Sequence, residues 1–336
     1  MKSIAALAKP GEHPFAPFVR ILGKGRQGSR SLSREEARDA MAMILRGDVE
    51  EVQLGAFLML LRVKEESGDE LAGFVEAARA AIAAPALQVD LDWSSYAGKG
   101  RHLPWYLLAA LTLADHGIRV FMHGASGHTP GRIYSEPALI QLLGSVCDSW
   151  ESVASALDAS NFAFLPLRHL CPPLDRMIDL RSLLGLRSPV HTLSRLLNPL
   201  AAPYAVQSIF HPPYGPRHQA AALALGQPHV AVFKGDAGEV ERRPEAVTTI
   251  YRIADGVASE MRWPRLVDGR QSPPEELEVE RLRQVWRGDH HDAYGELAIT
   301  GTLAVVLELL GRADQESAPA MAQRWWAERN RERIPA

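Results

Sequence analysis

The chain has 336 residues, 46% of them hydrophobic and 23% charged, a composition typical of a soluble globular protein with one large domain or a large and a small one. No apolar run approaches the roughly 18 residues that a membrane-spanning helix needs. The short apolar patch in the first ten residues makes a poor signal peptide. Two cysteines, Cys147 and Cys171, cannot form a metal site by themselves, and we expect no disulfide and a cytoplasmic protein. We also expect no membrane partner. The net charge of −3 excludes a chain that is basic overall, so a polyanionic partner would need a local basic face.

The first notable segment, residues 20–34, is basic and contains no acidic residue. Its cations are Arg20, Lys24, Arg26, Arg30 and Arg34. Three glycines in the middle of the segment predict a loop. Two interpretations stay open: a solvated loop with scattered charge, or a loop whose unpaired cations follow a phosphate backbone.

Three helices follow, and each has a start signal in the sequence. The signals are capping-box pairs: Ser33 with Glu36, Asp48 with Glu51 in a looser form, and Ser67 with Glu70. The helices end near Pro85. Their core is thin for an independent domain. We therefore expect residues 1–88 to form a small helical domain that packs on something else, such as a second copy of itself.

After Pro85, apolar extended runs alternate with helices, which indicates a large α/β domain with a mostly parallel sheet over residues 89–336. Strands are predicted at residues 118–123, 162–165, 204–210 and 229–233, with a further candidate at 247–253. A helical insertion interrupts the alternation at residues 166–203. Its arginines outnumber its acids: Arg168, Arg176, Arg181, Arg187 and Arg195 against Asp175 and Asp179. These arginines either pair with nearby acids or form a basic surface.

The stretch Tyr96-Ala-Gly-Lys-Gly-Arg-His102 separates two apolar segments. A strand, a Gly-rich turn and a helix N-terminus together form a ready anion site, because free N–H groups and the helix dipole point the same way. The alternative is an ordinary tight turn. His123 either donates to a bound phosphate or caps the end of a strand. In the loop that follows, we expect Arg132 to be solvated.

Several segments resemble anthranilate phosphoribosyltransferase and its relatives. They are residues 32–37, 48–62, 74–79, 121–124, Arg187-Ser-Pro-Val-His-Thr-Leu-Ser-Arg-Leu-Leu-Asn-Pro199, and 233–241. The resemblance covers nearly the whole chain. It implies the nucleoside phosphorylase/phosphoribosyltransferase-like fold and a homodimer formed through the helices. It also implies that an insertion at about residues 170–198 packs on the helical domain.

The departures from the family pattern bear on function. Where the enzymes have a Gly-Thr-Gly-Gly-Asp turn around the diphosphate of phosphoribosyl diphosphate, this chain has Ala97-Gly-Lys-Gly-Arg101. Their Mg²⁺-binding Asp-Glu pair corresponds to Val240-Glu241, which leaves Glu241 as a degenerate remnant and predicts no metal site. The Lys-His-Gly-Asn motif keeps only its central His123-Gly124. We therefore expect no standard anthranilate phosphoribosyltransferase activity and no cofactor.

A branch of the family shows similar losses of the enzyme motifs, and it binds nucleic acid without sequence preference along a basic face. Residues 21–30 and 232–239 of this chain are similar to that branch in particular. Membership implies a homodimer that binds DNA or RNA through the phosphate backbone. The contact residues we expect are Lys24, Arg26, Arg30, Arg34, Arg168, Arg176, Arg181, Arg187 and Arg195.

The alternative is a glycosyltransferase or phosphoribosyltransferase of unknown acceptor, with Mg²⁺ and phosphoribosyl diphosphate as its cofactor and donor. It would use an anion pocket at residues 97–101 and 122–132, which would also suit another small anionic ligand. The pocket residues we expect are Gly98, Lys99, Gly100, Arg101, His123 and Gly124.

Overall fold

A seven-stranded sheet organises the larger part of the chain. The computed structural model describes residues 7–25, 27–269, 272 and 276–336. The strands are β1 Leu91–Ser95, β2 Val120–Gly124, β3 Phe162–Pro166, β4 Tyr204–Ile209, β5 His229–Lys234, β6 Thr248–Ala254 and β7 Val257–Trp263. They lie in the order β3-β2-β1-β4-β5-β6-β7. The first five are parallel and the last two pair antiparallel, which confirms the predicted α/β class with a mostly parallel sheet.

Four helices precede the sheet: α1 Ala16–Gly23, α2 Arg34–Arg46, α3 Glu51–Lys64 and α4 Gly68–Ala81. The capping boxes predicted at Ser33 and Ser67 are confirmed. The pair predicted at Asp48 is wrong. Helix α3 begins after Glu50, whose backbone N–H donates to the side chain of Gln53 at 3.2 Å. Helix α1 was also missed, because it ends at the first of the glycines that predicted a loop.

The remaining helices surround the sheet. They are α5 Tyr106–Asp115, α6 Ser135–Leu143, α7 Trp150–Ser160, α8 Leu167–Leu170, α9 Pro172–Asp179, α10 Arg181–Leu184, α11 Val190–Leu193, α12 Tyr214–Ala224, α13 Glu280–Arg287, α14 Ala293–Leu309 and α15 Ala318–Glu328. Among the described residues, no helix is both long and apolar enough to cross a membrane.

Two apolar cores lie on the two sides of the sheet. One joins α1 to α4 with the inserted helices α8, α9 and α11, and it contains the aromatic contact of Phe15 with Phe57 at 5.2 Å between ring centroids. The other packs α5, α14 and α15 together. Arg79 of α4 donates to the carbonyl of Leu197 at 2.5 Å, so the insertion contacts the small helical part. The domain boundary near residue 88 stays a prediction.

The connections leaving the sheet reverse direction at β1 and β4. From β1 the chain proceeds outward to β2 and β3, and from β4 it proceeds to β5 on the other side. In open parallel sheets, ligands bind beyond the carboxyl ends of the strands at such a reversal. The turn after β1 and the loops after β4 and β5 therefore define where a site is expected.

Candidate functional site

The turn after β1 is tightly held in place. Gly98 has a positive φ of 68°, and a Cβ atom there would lie 2.8 Å from the ring of Tyr134. Only glycine meets both conditions without strain. Lys99 and Ile133 exchange two backbone hydrogen bonds of 2.8 Å, which tie the turn to the chain before α6.

The polar groups of this turn are satisfied from within the chain. The backbone N–H groups of Ala97 and Gly98 each donate to one carboxylate oxygen of Glu239, both at 2.6 Å. The guanidinium of Arg132 donates to the carbonyls of the same two residues, at 2.8 and 3.0 Å. Arg132 is thus half-buried and bound, and the expectation of a solvated loop residue was wrong. An internal carboxylate lies where the sequence predicted a bound anion.

The side chain of Lys99 is 0% exposed and points between two acids. Its ammonium forms ion pairs with Asp236 and with Glu241, the latter at 2.5 Å. The second oxygen of Glu241 accepts a 2.9 Å hydrogen bond from the backbone N–H of Tyr106, the first residue of α5. The prediction that Lys99 and Gly98 face an external anion therefore needs correction, because their donors already have carboxylate partners.

Burial and charge act in opposite directions on this cluster. Burial favours the neutral form of Lys99, but Glu241 and Asp236 outweigh it and raise the pKa of the ammonium above its ordinary value. Burial raises the pKa of Glu241 to about 7 in spite of the adjacent ammonium. Burial also acts to raise the pKa of Asp236, but His102 and Lys99 outweigh it and hold that pKa below its usual range. Lys99 is therefore charged at neutral pH.

His123 and Gly124 lie at the end of β2 and are buried. The Nδ1 atom of His123 lies 2.6 Å from the hydroxyl of Tyr96, and Nε2 lies 3.3 Å from a carboxylate oxygen of Asp92. A Cβ atom at Gly124 would lie 2.1 Å from the carbonyl oxygen of Ser95 on the neighbouring strand. Both ring nitrogens of His123 thus have partners within the chain, and a role of His123 and Gly124 as anion ligands stays a prediction. Gly100 and Arg101 are exposed.

A cavity of about 350 Å³ opens beside this turn, between α3, the insertion and the end of β4. Its polar lining contains one acid, Glu66, and five arginines: Arg62, Arg132, Arg181, Arg187 and Arg195. Aromatic side chains from the loop after β4 form another wall. We call this space, lined by these five arginines, the arginine cavity.

The arginines of the cavity have oxygen partners but few acidic ones. Arg181 and Arg187 both donate to the hydroxyl of Thr129, at 2.9 and 3.1 Å. Within the described parts of the chain, no carboxylate forms an ion pair with either of them or with Arg132. Burial, with the like charges of Arg132, Arg195 and Arg181, lowers the pKa of Arg187 to about 10. Glu66, which also lines the cavity, interacts with Arg62, so the positive charge without a described carboxylate partner is that of Arg132, Arg181 and Arg187.

Two buried histidines that line the cavity, His191 and His218, and a third beside Arg181, His128, are held neutral. Burial, followed by the charge of Arg187, lowers the pKa of His128 to about 3. Burial and Arg195 lower the pKa of His218 to about 3. The pKa of His191 is also well below its ordinary value, mainly through burial. At neutral pH these three histidines therefore add no positive charge to the cavity.

The other predicted basic residues fall into two groups. Three of them are neutralised by carboxylates: Arg30 by Glu36, Arg34 by Glu76, and Arg168 by Glu136. Lys24 and Arg176 are exposed, and no described carboxylate pairs with them. Arg26 lies outside the described residues. The acids that pair are not the predicted Asp175 and Asp179.

Two family models match the chain. One, the helical bundle domain of the glycosyl transferase family, matches residues 19–82, and the other, the α/β domain of the same family, matches residues 102–321. The chain belongs to the glycosyl transferase family. The predicted family resemblance is thereby confirmed, whereas the nucleic-acid-binding branch stays a prediction.

Relatives with curated sequences include both named and uncharacterized members of the glycosyl transferase family. The uncharacterized protein YbiB of Escherichia coli (strain K12) is 28% identical over 296 residues, which is 79% of this chain and 92% of YbiB. The anthranilate phosphoribosyltransferase of Anaeromyxobacter sp. (strain Fw109-5) is 31% identical over 210 residues, 61% of each chain.

Solved structures of the family share the fold. Anthranilate phosphoribosyltransferase from Thermus thermophilus superposes with a TM-score of 0.75 at 22% identity, over 92% of this chain and 94% of the enzyme. The enzyme from Saccharomyces cerevisiae in complex with PRPP and Mg gives 0.74 at 18% identity, over 94% of each chain. At these identities the likeness establishes the fold alone.

Proposed function

We propose that this chain binds nucleic acid through the phosphate backbone, without sequence preference, and that the arginine cavity anchors the backbone. The observation that carries this proposal is the set of half-buried arginines, Arg132, Arg181 and Arg187, that have no carboxylate partner among the described residues. Guanidinium groups are suited to phosphate because their forked N–H groups match its oxygens.

Charge balance supports the same proposal. A buried cation without a counter-ion is costly, and the depressed pKa of Arg187 shows the direction of that cost. A phosphate group in the cavity would supply the missing negative charge. Aromatic side chains beside the arginines, Phe210 and Tyr214, would offer faces on which a base could stack.

The structure changes which predicted residues we assign to this surface. Arg181, Arg187 and Arg195 line the cavity, and the exposed Arg176 and Lys24 carry charge that no described carboxylate neutralises. The paired arginines Arg30, Arg34 and Arg168 should contribute less, because a bound phosphate would compete with their carboxylates.

Salt dependence of binding tests the proposal. Fluorescence anisotropy with a single-stranded and a double-stranded oligonucleotide, at rising salt, should show affinity falling linearly on logarithmic axes as counter-ions compete. The double variant Arg181→Gln/Arg187→Gln should reduce both the affinity and the salt slope. Arg324→Gln is the matched control, since Arg324 is exposed on α15, which packs on the other face of the sheet. Absence of binding to any DNA or RNA at about 50 mM salt would end the proposal.

We also propose that the chain forms a homodimer through the helical part. Helix α3 presents an apolar stripe to solvent, with Val52 79% and Val63 83% exposed. The two valines are eleven residues apart, about three helical turns, so they lie on one face. Light scattering of the eluted protein tests this proposal. A Val52→Lys/Val63→Lys variant should elute as a monomer, and a monomeric parent chain would refute it.

No contact in the described site favours the alternative function, phosphoribosyl transfer. The yeast enzyme is in complex with PRPP and Mg, but the residues of this chain do not fit a divalent cation. Asp236 and Glu241 already hold the ammonium of Lys99. In the described parts of the chain, no three His, Cys, Asp or Glu side chains are arranged to hold a metal. A thermal-shift screen with nucleotides and phosphoribosyl diphosphate tests for any remaining small anionic ligand.

A further inference from the structure

We propose that the turn after β1 is occupied by ligands built into the chain: Lys99 takes the place of a metal cation, and Glu239 and Glu241 take the places of phosphate groups. These three side chains close the carboxyl edge of the sheet to any external metal–phosphate ligand. Each of the two positions, cationic and anionic, should be opened by a single substitution.

The cationic half of the inference rests on the environment of Lys99. An ammonium that is 0% exposed lies within ion-pair distance of Asp236 and of Glu241, which come from the same loop after β5. Two carboxylate oxygens facing one small cation are what Mg²⁺ or Mn²⁺ uses, completed by water and phosphate oxygens. Since the ammonium of Lys99 is enclosed between these two carboxylates, a divalent cation would have to displace it.

The anionic half of the inference rests on backbone N–H donors at two places, the turn after β1 and the start of α5. The N–H groups of Ala97 and Gly98 converge on one oxygen of Glu239, as N–H groups of a tight turn converge on a phosphate. The N–H of Tyr106, at the N-terminus of α5, donates to Glu241. A helix N-terminus and a Gly-rich turn are typical phosphate-binding features, and here an internal carboxylate fills each of them.

The burial of Glu239 and Glu241 shows that these carboxylates are not incidental surface contacts. Both side chains are 0% exposed. Removing either carboxylate therefore leaves an enclosed position lined by free N–H donors. The inference needs no nucleic acid, so its outcome is separate from that of the proposed function.

Thermal unfolding of the parent chain gives the first readout. We expect its melting temperature to be unchanged by millimolar Mg²⁺ or Mn²⁺, by inorganic diphosphate, and by the two together. A rise with Mn²⁺ and diphosphate that disappears in Glu241→Gln would overturn the inference, because it would show that the parent site accepts the external ligand.

Two variants give the positive readout. Lys99→Ala should gain a rise in melting temperature with Mn²⁺ alone, of about 2 °C when the metal is at ten times its Kd, and should broaden the electron paramagnetic resonance signal of Mn²⁺. Glu239→Ala should gain a similar rise with diphosphate. Three controls should gain nothing: Lys99→Arg and Glu239→Gln, which keep a cation and an acceptor oxygen in place, and Arg101→Ala, which changes the adjacent exposed cation.

The melting temperatures of the two variants and the three controls decide the inference. A gain in both variants with none in the controls supports the inference, and a gain in neither refutes it. A Lys99→Ala chain that stays unfolded with and without Mn²⁺ refutes the cationic half. The anionic half is then decided by Glu239→Ala alone.

Discussion

Two neighbouring regions at the carboxyl edge of the sheet differ in whether carboxylates balance their enclosed positive charge. In the turn after β1, Lys99 is fully enclosed and its charge is balanced by Asp236 and Glu241. In the arginine cavity, Arg181 and Arg187 are partly enclosed and no described carboxylate balances them. Arg132 borders both regions, since it lines the cavity and donates to the turn. The position of the unbalanced charge, and not the number of basic residues, therefore indicates where an external anion would bind.

Removing Lys99 should have the largest effect on stability. A Lys99→Met chain keeps two buried carboxylates and loses their cation, so its free energy of unfolding should fall by about 3–5 kcal/mol. Arg101→Met, at the exposed neighbouring position, should change it by less than about 0.5 kcal/mol. Urea unfolding measures both. A loss below about 1 kcal/mol for Lys99→Met would mean that the ion cluster is not tightly coupled.

Acid should destabilise the cavity side through its neutral histidines. The pKa of His218 is about 3 in the folded chain and near 6.5 when unfolded, so the unfolded state binds more protons between these values. Stability is therefore present above pH 6.5 and lost as the pH falls. Between pH 7 and pH 5 this one group should contribute about 2 kcal/mol to the loss. Urea unfolding of His218→Gln across this range should show a correspondingly smaller decrease, and an unchanged decrease would contradict the assignment.

Arg187 should behave in the opposite way to Lys99. Because Arg187 is half-buried without a carboxylate partner, Arg187→Met should leave the free energy of unfolding unchanged or raise it by about 1 kcal/mol. The same variant should bind oligonucleotide about tenfold more weakly, a loss of about 1.4 kcal/mol. Urea unfolding and fluorescence anisotropy measure the two effects. A destabilisation comparable to that of Lys99→Met would place Arg187 among structural residues.

Much of the fold could be predicted from the sequence because the patterns that indicate helices and strands are local. The capping boxes at Ser33 and Ser67 and the apolar runs of the buried strands involve residues close together in the chain. Strand β7 was missed although a local signal existed. Asp255 and Gly256, both with positive φ, form a two-residue turn of the Asp-Gly type that joins β6 to β7. Strand β7 lacks an apolar run because most of its side chains are exposed to solvent.

The site was less readable because its contacts are long-range. Lys99 and Glu241 are 142 residues apart, and Arg34 and Glu76 are 42 apart. No spacing rule connects such positions. One signal was present: the turn gained a cation, Lys99, where the resembling enzymes have glycine, while the loop after β5 kept Glu241. A new cation opposite a retained acid indicates an internal ion pair, and the sequence interpretation took it for an anion site.

The smallest effects should come from the cations that the chain already neutralises. Arg30 forms two hydrogen bonds with Glu36, at 2.6 and 2.7 Å, and its side chain is largely in water. Arg30→Gln should lower the free energy of unfolding by at most about 1 kcal/mol. It should also change the oligonucleotide affinity less than about twofold and leave the salt slope intact. Arg176→Gln, at an exposed position with no described acidic partner, should reduce that slope by about one. Equal slopes for the two variants would show that ion pairing inside the chain does not decide which cations reach the phosphates.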